Sequence, residues 1–519
     1  MKKILTFFLS LTVAAGLFAQ TADDAVGIAQ EYYEGTARTM AMGGAFTALG
    51  GDLGAIALNP ASSGVLGASM VSFTPSLTST HSLVQYLGNN EKTNNTGLTL
   101  SNFGTVINFD TGNYTGLVSY SFGFVYNKKN NYRSKMYAMG ATDDSSMLSA
   151  IANSLEGIDW TDIDLEKSPN AYTSSGASWP GILAWNTYVL APLSYLGGKY
   201  SDVNDSYMAS TENYDAATDQ LRIGGLLDQR FNRRTRGSND EFSFNFGANL
   251  SDRFYLGANL NLLTVSQTTE EYYEEKARDY SRFDDGFVSM DNSFWMRTSG
   301  AGVNIKLGVI AAPVAGLRLG ATITTPSWYS LTDQWDYTMN TSFNNGHKYT
   351  EYSPTGSWNY RLTTPMRWSV GAAYTFWDRG LVSVDYEQVN YANTKLRMQR
   401  GSFGNYGDYA SENAIIRADY RNAGILRAGA EIRVADFLSL RGGFQHYWPI
   451  ARGEAARNAY SAGLGFNLGP GMSIDLAWMR LGKVTNEFSL YEDYGYIAAP
   501  RGLNTQSVDK VVCTFALKF

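Results

Sequence analysis

The chain has few of the residues that build disulfides, metal sites or active sites. Among its 519 residues there are one cysteine, Cys513, and three histidines. A single cysteine excludes an internal disulfide, and the histidines are scattered without a spacing typical of metal ligands. The chain also has no nucleophile elbow, phosphate-binding loop or dinucleotide fingerprint. The sequence therefore predicts a protein that is not an enzyme and has no metal or cofactor.

Long hydrophobic runs are missing as well. After residue 20 no apolar run reaches the roughly 18 residues that indicate a membrane-spanning helix. The net charge of −7 gives no general attraction for nucleic acid. What the chain does have is aromatic residues, 14% of the total, together with 52 glycines and only 12 prolines. This composition favours β-strands, and aromatic rings also suit the two interfacial girdles of a membrane barrel.

The N-terminus has the pattern of a secretory signal peptide. Lys2 and Lys3 precede a largely apolar stretch, and Leu17-Phe18-Ala19 approximates a small-residue cleavage site before Gln20. We therefore predict a signal peptide over residues 1–19. The alternative is an uncleaved anchor, although the apolar stretch is shorter than the roughly 20 residues that a spanning helix needs.

Alternating apolar and polar residues predict an all-β fold. In the last segment Val511, Phe515 and Phe519 fall on one face of a strand, as a wall with one face toward lipid requires. Taken alone, such a segment also fits a soluble sandwich. Fourteen segments of this kind are present, and an even number is typical of single-chain bacterial barrels. They are 69–80, 96–110, 114–127, 241–250, 253–268, 293–312, 316–342, 357–377, 380–392, 424–435, 437–448, 457–468, 471–484 and 507–519.

Short and long connections alternate along the chain, as periplasmic turns and extracellular loops do. We therefore predict a transmembrane antiparallel β-barrel of 14 strands over residues 69–519, in the outer membrane of a Gram-negative bacterium. Both termini are expected in the periplasm, with a long extracellular segment at 128–240. A chain that ends on such a strand with Phe519 resembles outer-membrane barrels, whose terminal residues are an insertion signal. This resemblance implies the barrel assembly machinery as a partner.

Residues 20–68 do not have a strand pattern. They are rich in glycine and alanine, and Gly43 and Gly44 permit left-handed turns. Pro60 fixes its own φ and restrains Asn59, so this pair is expected to form a rigid elbow at the end of the segment. Two alternatives are open: a flexible tail, or a hatch folded inside the lumen.

The stretch Thr36 to Gly50 (TARTMAMGGAFTALG), followed by Asn59-Pro60-Ala61, resembles the N-terminal hatch of the FadL/TodX family of outer-membrane transporters. Fragments such as Leu317–Ala321 (LRLGA) and Leu426–Glu431 (LRAGAE) also resemble later strands of that family. The resemblance implies passive uptake of hydrophobic or amphipathic molecules such as long-chain fatty acids. Ligand would enter past the hatch, which gives Gly43, Gly44, Asn59 and Pro60 a role as a gate.

The long segment 128–240 contains the most apolar stretch outside the predicted wall. We expect ligand capture by six of its residues, Trp179, Ile182, Leu183, Trp185, Leu190 and Leu193. An apolar patch outside the membrane is either buried or binds something. Packing of the loops on one another and contact with a protein partner are the alternatives.

A group of arginines precedes the fourth strand. Arg230, Arg233, Arg234 and Arg236 are candidates for contact with an anion, because guanidinium groups pair with phosphate in a fork geometry. The anion would be a lipopolysaccharide phosphate or the carboxylate of a ligand. A solvated loop end is the alternative.

Three functions are consistent with these patterns. The first is an uptake channel for a hydrophobic small molecule. The second is a barrel that transports nothing and binds exported proteins in type IX secretion, like PorV. The third, an outer-membrane lipase, lacks a recognisable Ser and His pair.

Overall fold

The structure, a computed structural model, describes residues 21–377, 379–399 and 409–519 and shows a closed antiparallel β-barrel. The predicted signal peptide lies outside the described residues. The first wall strand pairs with the last, from Met70 opposite Lys518 to Gln85 opposite Leu503. The wall has fourteen positions, so the predicted fold and strand number are confirmed.

The third, seventh, eighth and ninth wall positions are each made of two shorter strands in line. The wall strands are β1 (Met70–Tyr86), β2 (Asn89–Asp110), β3 (Leu117–Asn131), β4 (Ser134–Thr142), β9 (Leu227–Leu250), β10 (Phe254–Ala277), β11 (Phe287–Val314), β12 (Leu317–Thr324), β13 (Trp328–Phe343), β15 (Gly356–Thr363), β16 (Arg367–Phe376), β17 (Gly380–Asn390), β18 (Lys395–Met398), β19 (Asn422–Ala435), β20 (Leu438–Tyr447), β21 (Arg457–Gly469), β22 (Met472–Ser489) and β23 (Arg501–Lys518).

The remaining strands lie in the connections: β5 (Leu190–Pro192), β6 (Tyr207–Ala209), β7 (Glu212–Asp215), β8 (Gln220–Ile223) and β14 (Lys348–Tyr352). The α-helices are α1 (Ala22–Ala29), α2 (Ala37–Ala41), α3 (Ala55–Leu58), α4 (Ser62–Val65), α5 (Met147–Ser154), α6 (Trp160–Ile163), α7 (Ala171–Ser174), α8 (Trp179–Asn186) and α9 (Ala410–Asp419). Short 3-10 turns occupy Leu193–Leu196, Gly198–Tyr200, Tyr280–Arg282 and Tyr391–Asn393. Of the described helices, none is both long and apolar enough to cross a membrane.

The outer face of the wall carries a belt of exposed apolar side chains. Successive residues of each strand point in opposite directions, so one set faces outward while the other lines the lumen. The exposed set includes Phe73, Phe122, Phe244, Leu260, Ile305, Val370, Val384, Leu476 and Phe515. Such a belt is stable only when lipid covers it, so this wall spans a membrane.

The two ends of the barrel differ. We call the end with connections 251–253 and 470–471 the turn end, and the opposite end, which carries the longest connections, the loop end. The predicted alternation of short and long connections fails between β1 and β2, which only residues 87–88 join at the loop end. Exposed aromatic residues lie near both edges of the belt, as in the girdles of membrane barrels. They are Phe254, Phe376, Trp377, Phe437 and Phe519 toward the turn end, and Trp328, Trp368 and Trp448 toward the loop end.

Residues 143–226 form a folded cap at the loop end. The predicted extracellular segment, 128–240, has wider bounds than this cap, because β4 still pairs with β9 from Ser134 opposite Thr235 to Thr142 opposite Leu227. Helices α5 and α8 pack in a large apolar cluster with side chains from the wall strands. Because β4 and β9 pair in this region, the barrel wall extends beyond the apolar belt, and the cap packs against this extension.

Candidate binding site in the lumen

The N-terminal segment, residues 21–69, packs against the inner face of the wall through glycines. At eight inward positions of the wall, an added Cβ atom would lie within 3.0 Å of an atom of this segment. They are Gly247, Gly257, Gly308, Gly320, Gly371, Gly429, Gly443 and Gly463. We call them the glycine row. Their missing side chains leave room for the backbone of the segment to lie directly on the wall.

Strand register places these glycines side by side. Gly257 lies opposite both Gly247 and Gly308 on the two neighbouring strands. Gly320 lies opposite Gly371, and Gly429 lies opposite Gly443. The segment is suited to this surface, since Gly43 and Gly44 have φ angles of +63° and +70° and turn the chain tightly beside the wall.

Asn59 joins two parts of the segment to the wall. Its Nδ2 donates to the carbonyl oxygens of Thr47, at 2.6 Å, and Val309, at 3.2 Å, and its Oδ1 accepts from the backbone N of Ala61 at 3.0 Å. The carbonyl oxygen of Pro60 accepts from Asn245 of the wall at 3.0 Å. The predicted elbow therefore lies in the lumen with its polar atoms bonded. Its role as a gate stays a prediction.

A charged cavity lies between the segment and the wall. It has an empty volume of about 560 Å³, part of it open to solvent. Five cationic and three carboxylate side chains line it: Lys128, Lys129, Lys306, Arg367 and Arg427, and Glu31, Glu241 and Glu387. Several are paired, such as Lys129 with Glu31 at 2.6 Å. The lining has an excess of two positive charges, one of which Asp240 balances by pairing with Lys128 at 2.9 Å.

Some donors of the cavity have spare capacity. Lys306 donates to the carbonyl oxygen of Ala57 but forms no ion pair with any described carboxylate. Nε of Arg427 and Nδ2 of Asn127 are buried without a hydrogen-bond partner among the described residues. Because a buried unpaired donor costs free energy, this arrangement favours an anion or a polar oxygen in the cavity.

An apolar cluster adjoins the cavity on the side of the loop end. Helix α1 packs there with wall residues that include Leu263, Val265, Leu331, Leu362 and Val389. Arg367 links the two regions, since it donates to the carbonyl oxygen of Ala29 and lies 5.9 Å from the ring centre of Tyr391. An amphipathic molecule would therefore meet apolar and cationic surfaces next to each other.

The residues predicted to capture ligand belong mainly to the core of the cap. Ile182 and Leu183 are fully buried, Leu190 is buried, and Trp179, Trp185 and Leu193 are partly buried. The ring of Trp179 lies 5.5 Å from that of Trp335 on the wall. Capture by these residues stays a prediction, and it requires movement of the cap.

Three of the predicted anion-binding arginines have carboxylate partners. Arg230 pairs with Glu274 at 3.5 Å, and Arg236 pairs with Glu270 at 2.7 Å. Arg233 points inward and pairs with Glu271. No described carboxylate pairs with Arg234. The opposing strand β10 thus supplies the charge that these arginines need, which the sequence alone did not reveal.

A buried carboxylate holds the cap to the wall. Glu275 of β10 accepts hydrogen bonds from Ser146 Oγ at 2.7 Å and from the backbone N of Met147 at 2.9 Å, at the start of α5. It also accepts from Gln229 at 2.9 Å and Tyr273 at 2.7 Å. Burial raises the pKa of Glu275 above its usual value, although these hydrogen bonds act in the opposite direction.

We expect the cap to be more stable at pH 5 than at pH 8. A carboxyl group whose pKa is raised by folding stabilises the folded state below its unfolded pKa, about 4.5, and this stability is lost as the pH rises through the folded pKa. Guanidinium unfolding of the cap, followed by tryptophan fluorescence, measures the difference. Glu275→Gln should reduce it, leaving the effect of Glu212, whose pKa burial also raises, whereas exposed Glu166→Gln should not change it. An unchanged pH dependence in Glu275→Gln would contradict this role.

The C-terminal residue lies at the turn end. The backbone N of Phe519 donates to the carbonyl oxygen of Ser69 at 3.0 Å, and the residue is 70% exposed. Its role in membrane insertion stays a prediction. Among the described residues there is no group of histidine, cysteine and carboxylate side chains that could hold a metal ion.

The arrangement defines a class of protein: a fourteen-stranded membrane barrel whose N-terminal segment packs inside its lumen. The same fold occurs in solved structures. A FadL homologue from Pseudomonas aeruginosa is 12% identical, with a TM-score of 0.54, and the match covers 94% of this chain and 99% of that one. The toluene transporter TodX from P. putida is 12% identical, with a TM-score of 0.50 and the same coverage.

These likenesses show the fold alone. The closed barrel with its outward apolar belt confirms the predicted location in the outer membrane. Comparison of the sequence with protein-family models and with curated proteins finds no match.

Proposed function

We propose that this barrel is a channel for passive uptake of hydrophobic or amphipathic small molecules, including long-chain fatty acids. The observation that carries the proposal is the cationic cavity beside an apolar cluster. A fatty acid has both parts: a carboxylate for Lys306, Arg427 and Asn127, and a chain for the apolar side chains. The fold likeness to a toluene transporter supports an apolar cargo.

In this proposal the N-terminal segment, residues 21–69, acts as the hatch, which the sequence predicts over residues 20–68. Its backbone lies on the glycine row, so it blocks direct passage along the barrel axis at that depth. Ligand captured at the cap would reach the cavity only when cap and hatch contacts rearrange. Gly43, Gly44, Asn59 and Pro60 are the proposed gate positions, and Asn59 bonds the hatch to the wall at Val309.

Lys306→Met tests the choice of ligand. The lysine forms no ion pair with a described carboxylate, so its loss should leave folding largely intact while removing a partner for an incoming carboxylate. We expect uptake of a fluorescent long-chain fatty acid into cells to fall about tenfold, as for the loss of one charged hydrogen bond. Uptake of toluene should not change.

Exposed Lys348→Met is the matched control and should behave like the unmodified protein. Equal loss of both cargoes would indicate a general channel defect instead of carboxylate recognition. If the unmodified barrel gives neither fatty acid nor toluene uptake above that of cells lacking it, the proposed function is wrong.

A second candidate is binding of an exported protein at the loop end. Tyrosines are enriched at protein interfaces, and several on this end are exposed: Tyr188, Tyr195, Tyr280, Tyr352 and Tyr496. This surface fits the PorV-like alternative. Co-purification of a secreted protein that is lost when Tyr195 and Tyr352 become serine would favour it over uptake.

A further inference from the structure

Three cations form a group on the outer face of the wall near the loop end. Arg361 of β15 lies directly opposite Arg397 of β18, and Lys395 lies opposite Thr363, two residues closer to the turn end. All three are exposed, and their neighbours along the strands, Leu362 and Leu396, are fully buried on the inner side. The three cationic side chains therefore share one outward surface.

This pairing is unfavourable in isolation. Side chains directly opposite each other on antiparallel strands are about 5 Å apart at Cβ, and like charges there destabilise the sheet. None of the three forms an ion pair with a described carboxylate. By contrast, Arg236 and Arg230, also on the outer face, lie beside Glu270 and Glu274. The described residues supply no such compensating charge to the group around Arg361.

The group also lies at the edge of the lipid belt. Thr363 is the register partner of Trp328 as well as of Lys395, so Lys395 is level with an exposed tryptophan of the girdle. Arg361 and Arg397 are two residues farther toward the loop end, which is about 7 Å along a strand. This is the depth at which lipid headgroups begin, because tryptophan marks the interface.

We propose that Arg361, Arg397 and Lys395 bind the phosphate of a phosphorylated glycolipid in the outer leaflet. Two guanidinium groups side by side present forked donors that match phosphate oxygens. The bound anion would remove the repulsion between Arg361 and Arg397. Next to them, Ser330 Oγ donates to Gln399 at 3.2 Å, so further polar groups are present for the sugar. The outer leaflet follows from the predicted extracellular position of the loop end.

The test uses the full-length protein with Arg361→Gln and Arg397→Gln together. Exposed Arg278→Gln and Arg480→Gln are the matched control, since they remove the same two charges from arginines paired with Asp228 and Asp509. Purified barrels in detergent are titrated with lipid A, phosphatidylglycerol or inorganic phosphate. Bound lipid is counted by native mass spectrometry.

We expect the unmodified barrel and the control to bind lipid A, and the double variant to bind it at least about tenfold more weakly. Inorganic phosphate should compete. Equal binding in the double variant, or an equal loss in the control, would overturn the site. Tighter binding of phosphatidylglycerol than of lipid A would overturn the glycolipid assignment. Fatty acid uptake should be unaffected in the double variant, so this test is independent of the proposed function.

Discussion

Gly443→Val is expected to displace the N-terminal segment from the lumen while leaving the barrel wall closed. A Cβ at this position would lie within 3.0 Å of the backbone atoms of Gly43 and Met42. Backbone cannot move aside as a flexible side chain can, so the overpacking costs roughly 3 kcal/mol or more. Displacement should thus become roughly a hundredfold more frequent. Faster protease cleavage of the segment and higher ion conductance of the reconstituted barrel would record it.

The neighbouring residue supplies the control. Gly442 lies on the same strand, faces outward, and has no atom within 4 Å of an added Cβ. Gly442→Val should therefore leave protease resistance and conductance unchanged. If both variants behave alike, strand propensity and not contact with the segment explains the result.

Lys510→Met is expected to destabilise the protein by about 3 to 5 kcal/mol, the typical effect of leaving one buried charge without its partner. Lys510 of β23 pairs with Glu34, which is completely buried in the N-terminal segment. The carboxylate of Glu34 would then keep only the hydrogen bond from Ser101, at 3.1 Å. Urea unfolding of the detergent-solubilised barrel measures the loss.

Two further variants separate this ion pair from a general effect of charge. Exposed Lys518→Met on the same strand should change the free energy of unfolding by less than about 0.5 kcal/mol. Adding Glu34→Gln to Lys510→Met should recover most of the stability, because no unpaired charge then remains. A double variant as unstable as Lys510→Met alone would show that Glu34 is not the partner that matters.

The wall was predictable because its physics is local. Each strand needs a period of two, as Phe242, Phe244 and Phe246 illustrate, and this period is visible in any short window of the sequence. The ends of the strands were harder to predict from the sequence. Residues 81–86 and 227–240 continue the wall beyond the apolar belt, where polar residues occur on both faces and the sequence no longer alternates simply between apolar and polar.

The cavity and the packing of the cap could not be predicted from the sequence, because they depend on contacts between residues far apart in the chain. Nothing near Glu34 in the sequence indicates Lys510 as its partner, and the same holds for Glu275 and α5. The glycine row is a partial exception, since single glycines within strands often mark close approach of another backbone. That signal is present at Gly257, Gly308 and Gly443. Together with the glycine- and alanine-rich pattern of residues 20–68, it would have located the contact between the N-terminal segment and the wall.

Amide hydrogen exchange of the intact barrel in detergent tests most directly the claim that the N-terminal segment fills the lumen. Peptides covering residues 37–66 should exchange slowly, on a time scale close to that of wall peptides such as 254–262. Their backbone is buried, and some of its N–H groups donate to the wall, for example that of Ala37 to Thr514 and that of Thr47 to Asp385. Exchange of residues 37–66 within seconds, at the rate of an unfolded chain, would contradict the account.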